Sequence, residues 1–159
     1  MTALDQGSKI SEVFVTMPGL VKLDPKDAAL ARELVYGCTR MQRCLDYQIQ
    51  SLCQRPFLKL KPVVRLALRM GAYQMLFLDA IPDHAAVHES VNLVKYYGEN
   101  ESAGFVNAIL RSVAEKKPLP EPVGKDELDT LGLKTSHPAW LLERWAKRFS
   151  PEELTSLLA

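Results

Sequence analysis

The stretch Lys61–Leu78, KPVVRLALRMGAYQMLFL, constrains the fold more than any other part of the chain. Its single proline stands at position 62, and Val63, Val64, Leu66, Ala67, Leu68, Met70, Ala72, Met75, Leu76, Phe77 and Leu78 leave hardly any polar arc. A helix of this composition must be buried on most sides. Its length reaches that of a membrane span, but Arg65, Arg69, Tyr73 and Gln74 would set two charges and further polar groups in hydrocarbon, so no membrane is expected. It reads as the central helix of an all-α bundle. Lys61, Arg65 and Arg69, at successive i+4 spacing, form the stripe along which it meets water.

The flanking segments supply partners for that helix. Residues 1 to 20 read as a short helix around Ala3 to Phe14, ending before Pro18 and Gly19. Asp24 and Pro25 are an N-cap and an N1 residue, after which Leu30, Leu34, Cys38, Met41, Leu45, Ile49 and Leu52 predict one apolar face running to about Gln54, with Gly37 as a possible kink. Asp83 is read as the N-cap of a helix from about His84 to Tyr97, with Ala85, Val87, Val91 and Val94 inward. A further helix is expected from about Glu101 to Lys116, carrying Phe105, Val106, Ile109, Leu110 and Val113. No segment alternates like a strand. From Pro118 the composition changes: PLPEPVGKDELDTLGLKTSHP has four prolines and no long apolar period, which reads as a linker or a strap on the bundle over 118–136. Two more helices are expected in 137–159, one with Trp140, Leu141, Leu142 and Trp145, the other opened by Ser150-Pro151-Glu152-Glu153.

Charge is unevenly distributed. The whole chain has a formal net charge of +1, yet Arg32 to Arg69 holds eight basic residues against Glu33 and Asp46, a balance suited to a polyanion. On the long helix, Arg32, Tyr36, Arg40, Arg43 and Tyr47 fall on one arc away from the apolar stripe. Guanidinium and phenol groups alternating on an open face can hold phosphates and stack on unpaired bases. Together with Lys61, Arg65 and Arg69 they are the candidate RNA-binding residues. The competing reading has the arginines merely solvated and the tyrosines covering a neighbouring helix.

Catalytic and metal motifs are lacking. There is no GxGxxG or Walker loop. His84 and His88 have the i, i+4 spacing of helical metal ligands, but HAAVH lacks the glutamate of HExxH and no cysteine pair completes a site, so no metal is expected. His84 is expected to pack under the loop from Ile81, and Glu89 to pair with a nearby base. Cys38, Cys44 and Cys53 form no CxxC pair and leave one thiol over in any disulfide scheme, which points to a reducing, cytoplasmic setting with buried, unreactive thiols. The N-terminus shows neither a charged leader nor an apolar core, so no signal peptide is expected.

Three blocks, DAALARELVYGCTRMQRCLDYQI, LRMGAYQMLFLDAIPDHAAVHESVNLVK and GFVNAILR, resemble the NusB-like RNA-binding domain over about Asp24 to Lys116. They are most similar to the version that opens bacterial ribosomal RNA cytosine-5 methyltransferases of the Sun/Fmu (RsmB) type, and SHPAWLLERWAKRFSPEEL resembles the helices joining that domain to the catalytic part. The resemblance implies a NusB-like domain over 1–117 that holds ribosomal RNA without catalysing anything. It also implies a methyltransferase domain of the same polypeptide beyond Ala159, carrying the S-adenosylmethionine site and two catalytic cysteines. Cys38, Cys44 and Cys53 match neither cysteine motif, and the basic first helix of the family begins earlier than MTALDQG allows. Two alternatives stay open: an antitermination factor acting with a boxA-like RNA and a ribosomal protein, and an intramolecular scaffold for the catalytic domain. Gly71 and Gly104 are expected at close helix approaches, and Asn107 as a capping or buried hydrogen-bonding residue.

Overall fold

A computed structural model describes residues 23–158 of the chain. Among these residues there are eight α-helices and no strand, so the class is all-α as expected. They are α1 (Pro25–Arg40), α2 (Gln42–Leu52), α3 (Pro62–Phe77), α4 (Asp83–Tyr96), α5 (Ala103–Lys116), α6 (Glu127–Lys134), α7 (Ala139–Trp145) and α8 (Pro151–Leu158), with single 3-10 turns at Phe57–Lys59 and Asn100–Ser102. The helix expected around Ala3 to Phe14 lies outside the described residues.

Helix α3 is the core element. Val64, Ala67, Leu68, Ala72, Tyr73 and Met75 are buried on it, facing Leu45 and Ile49 of α2, Val94 of α4, and Val106, Ile109, Leu110 and Val113 of α5. Two glycines let neighbours approach. A Cβ on Gly37 of α1 would lie 2.0 Å from Cζ of Tyr73, and one on Gly71 would lie 2.6 Å from Cδ1 of Leu110 and 2.7 Å from Oγ of Ser90. A Cβ on Gly104 would meet nothing within 4 Å, so that glycine is not the close approach the sequence suggested.

The expected continuous helix from Pro25 to Gln54 is two helices, and the break falls at Met41 rather than at Gly37. Met41 takes φ −93° and ψ 14°, and α2 has no side-chain cap of its own. The amides of Arg43 and Cys44 instead donate to Oγ of Ser136, at 2.9 and 3.4 Å. A cap supplied from 93 residues further on replaces the local ladder at that point.

Helix α4 is also rotated from its expected phase. Its buried face is Ala86, Ser90 and Val94, while Ala85, Val87 and Val91 are only half-buried, because small residues at 86 and 90 fit closely against α3 at Gly71. Asp83 is the first helical residue rather than the cap, and its carboxylate accepts from Nζ of Lys117 at 2.7 Å. His84 is exposed rather than packed beneath the loop, and Glu89 accepts or shares a proton with Nδ1 of His88 at 3.0 Å.

Caps mark the other helices. The Asp24 carboxylate accepts from the amides of Lys26 and Asp27 at 2.8 and 3.0 Å. At α8, Ser150 and Glu153 bond reciprocally, Ser150 N–H to Oε2 at 2.8 Å and Glu153 N–H to Oγ at 3.3 Å, which is a capping box. Within 118–136, α6 is opened by Asp126, whose carboxylate accepts from Asp129 N–H at 2.7 Å. No helix of the described residues is long and apolar enough to cross a membrane.

Candidate nucleic-acid interface

The five residues of the α1–α2 arc do not share one open face. Arg32, Tyr36 and Arg40, on α1, are exposed. Arg40 lies beside the Tyr73 hydroxyl, which donates to Oε1 of Glu33 at 2.5 Å. Burial first, then that carboxylate, push the Tyr73 phenol up to about 12.

Arg43 and Tyr47, on α2, lie under the segment that follows α5. The Arg43 guanidinium is paired with the Asp129 carboxylate and donates to the carbonyl of His137 at 2.6 Å. Gly132 makes room for it, since a Cβ there would stand 2.3 Å from Nη1 of Arg43 and 2.7 Å from Cδ1 of the fully buried Leu142. The Tyr47 hydroxyl accepts from Val123 N–H at 3.2 Å, and the neighbouring Gln48 donates to the Pro120 carbonyl at 2.9 Å. The Asp129 carboxyl is held below its ordinary value, chiefly by the Lys125 amide, with Arg43 adding to the effect.

The α3 stripe divides as well. Arg69 makes a bidentate pair with Asp46, Nε to Oδ1 at 2.6 Å and Nη2 to Oδ2 at 2.7 Å, with its guanidinium 5.5 Å from the centroid of Phe57. Arg65 is half-buried, and its Nε is buried without a hydrogen-bond partner. Lys61 stands in solvent with Nζ 2.6 Å from Oε2 of Glu99. That hydrogen bond and charge raise the lysine above its usual value. Eight residues of helix, about 12 Å of rise, separate Lys61 from Arg69.

Around Lys61 the structure assembles groups that the sequence did not bring forward. The Arg55 guanidinium lies 4.5 Å from the centroid of Phe105, in the first turn of α5. Tyr96 and Tyr97, where α4 ends, are 84% and 62% exposed, with ring centroids 5.3 Å apart in an edge-on arrangement. Lys59 and Lys95 are exposed nearby in the chain. Lys61 thus faces Glu99 and Glu101, and Arg55, Lys59 and Lys95 are exposed in the neighbouring segments of the chain. Two adjacent aromatics before a helix-ending glycine, in KYYG, were the available signal, because neighbours on a helix cannot both face one core.

Other candidate chemistry is quiet. Burial raises all three thiols, Cys38 to about 12, where Arg69 opposes and Glu33 adds to the effect. Among the described residues no group of three or more His, Cys, Asp or Glu side chains could hold a metal ion. His84, His88, Asn107, Val87 and Val91 line an open groove between α4 and α5.

The NusB family model matches residues 5–115. The chain belongs to the NusB family. Curated relatives extend the likeness beyond the NusB match. The probable ribosomal RNA small subunit methyltransferase B of Bacillus subtilis (strain 168) is 37% identical over 131 residues, 82% of this chain and 29% of the relative. The protein of the same name from Synechocystis sp. (strain ATCC 27184 / PCC 6803 / Kazusa) is 38% identical over 141 residues, 86% and 31% respectively. Ribosomal RNA small subunit methyltransferase B of Escherichia coli O1:K1 / APEC is 30% identical over 159 residues, 98% of this chain and 34% of the relative. This NusB-family chain therefore spans about a third of the length of the curated relatives it matches.

Proposed function

We propose that this chain is the RNA-holding part of a ribosomal RNA small-subunit methyltransferase acting in the cytoplasm, and that it contributes no catalytic group of its own. The observation that carries the reading is the end of the bundle at Lys61. The exposed cations Arg55, Lys59, Lys61 and Lys95 and the exposed Tyr96 and Tyr97 belong to the segments that the Lys61–Glu99 pair joins, in a chain aligned almost throughout with such methyltransferases. Arg55, Lys59, Lys61 and Lys95 contact phosphates, which position an RNA without reading its sequence. Tyr96 and Tyr97 offer ring faces to unpaired bases, and such stacking tolerates any base. Arg32 and Arg40 extend the phosphate track along α1, with Tyr36 between them. Arg43 and Tyr47 are engaged by residues 123–137, and Arg69 by Asp46.

Methyl transfer belongs to the rest of such a protein. The three thiols of this segment are raised by burial, opposite to what a nucleophile needs. The partner of this segment is then the catalytic domain of its own polypeptide, to which α7 and α8 lead.

Titration of a labelled single-stranded fragment of small-subunit ribosomal RNA, followed by anisotropy, tests the reading. Tyr96→Ala with Tyr97→Ala is expected to weaken binding by about 1–3 kcal/mol per stacked base, with the fold unchanged by circular dichroism. Binding indifferent to that double change and to salt would overturn it.

A further inference from the structure

Two of the five residues of the basic-aromatic arc on α1 and α2 are covered, and the manner of covering is informative. Residues 118–137 lie across α2 through polar contacts: Pro120 carbonyl to Gln48, Val123 amide to Tyr47, Asp129 carboxylate and His137 carbonyl to Arg43, and Ser136 Oγ to the amides of Arg43 and Cys44. The Arg43–Asp129 pair keeps solvent access, with side chains 27% and 19% exposed. The apolar grip of 118–137 rests on Leu119, which packs on the core, and on the buried Pro122 and Leu133, while Val123 is 69% exposed. The strap brings Glu121, Asp126, Glu127 and Asp129 against two lysines, Lys125 and Lys134, and Lys134 is already paired with Glu121. An acidic, proline-rich segment thus sits on an arginine and a tyrosine of α2, the helix that follows the exposed Arg32, Tyr36 and Arg40 of α1.

We propose that residues 118–137 are a displaceable strap that occupies Arg43 and Tyr47, and that single-stranded RNA competes with it for this second surface. The inference rests on the RNA-holding reading above. The Asp129 carboxylate and a backbone phosphate satisfy the same guanidinium and cannot do so together. An RNA that reaches Arg43 and Tyr47 only when the strap is off must shift the strap toward release, and a released strap must strengthen RNA binding by the same factor. Bound RNA would thereby loosen the segment leading to α7 and α8.

Gly132→Ala tests this without changing charge, because its Cβ takes the space of Nη1 of Arg43 and Cδ1 of Leu142. Ser136→Ala removes the borrowed cap and is the second release variant. Release is read independently of RNA by amide exchange across 118–137 and by tryptophan emission, since both tryptophans, Trp140 and Trp145, are on α7. With a mixed-sequence 12-nucleotide single-stranded RNA as probe, a released variant is expected to bind on the order of tenfold tighter. Its log–log salt slope should be steeper by about 0.7, because Arg43 then neutralises one more phosphate. Adding Arg43→Ala should return the affinity to that of the unaltered protein, and the same RNA should speed strap exchange in the unaltered protein. A variant whose strap is released but whose affinity is unchanged or weaker overturns the strap proposal, as does RNA that binds the unaltered protein and slows strap exchange. Failure of the unaltered and released proteins alike to bind the RNA overturns the RNA-holding reading itself.

Discussion

Arg69 shows what a half-buried charge does in this fold. Its two hydrogen bonds to Asp46 join α3 to α2, and both side chains keep only about a fifth of their surface in water, 17% and 23%. Removing one partner strands the other. Asp46→Ala should therefore destabilise by about 2 kcal/mol in urea unfolding, below the 3–5 kcal/mol of a fully buried pair because water still reaches the site. The thiols give a second expectation. Cys38 is buried, with its thiol pushed up to about 12, and Cys44 is buried and raised too; Cys53 is half-buried, and Arg55 partly offsets its rise. Iodoacetamide near neutral pH, with labelled peptides followed by mass spectrometry, should modify Cys53 first and Cys38 only as the protein unfolds.

At the level of elements, the close contact of α1 with α3 depends on Gly37. The Tyr73 ring fills the place of a Cβ there, and its hydroxyl reaches past to Glu33. Gly37→Ala improves helix propensity yet should cost about 1–3 kcal/mol through overpacking, measured as a lowered urea midpoint. The borrowed cap is the other element-scale feature. Ser136→Ala should cost about 1 kcal/mol of α2 stability, seen as faster exchange at the amides of Arg43 and Cys44. Local signals in the sequence were enough for α3 and for the caps at Asp24 and Ser150, since each depends on residues a few positions apart, but they did not show α6 within 118–136. The break at Met41, the phase of α4 and the fate of Arg43 were not legible. Each is decided by a partner far away in the chain: Ser136 for the break, Gly71 for the phase, and Asp129 with Gly132 for the arginine. The candidate interface draws on both sources. Spacing in the sequence drew attention to Lys61, whereas Tyr96 and Tyr97 enter the candidate interface by their exposure, and exposure belongs to the folded molecule.

Taken together, the described residues are a bundle built on α3 to which the acidic segment 118–137 is fastened, and acid should separate the two. Asp129 faces Arg43 from α2 and the Lys125 amide from its own turn, and Glu121 faces Lys134; both carboxyls lie below their ordinary values. A carboxyl lowered by folding stabilises fully above its unfolded value, about 3.9 for aspartate, and loses that contribution as pH falls through the folded one. Fastening is thus complete at neutral pH and fails progressively below about pH 4. The bundle is held chiefly by apolar burial around Leu68, Val106 and Leu110, none of which titrates. Tryptophan emission, which reports α7 alone, should shift in that window while the far-ultraviolet circular dichroism of α3 to α5 persists. Asp129→Asn should show the shifted emission already at neutral pH. Coincident loss of both signals in the unaltered protein would mean that the segment and the bundle unfold as one unit.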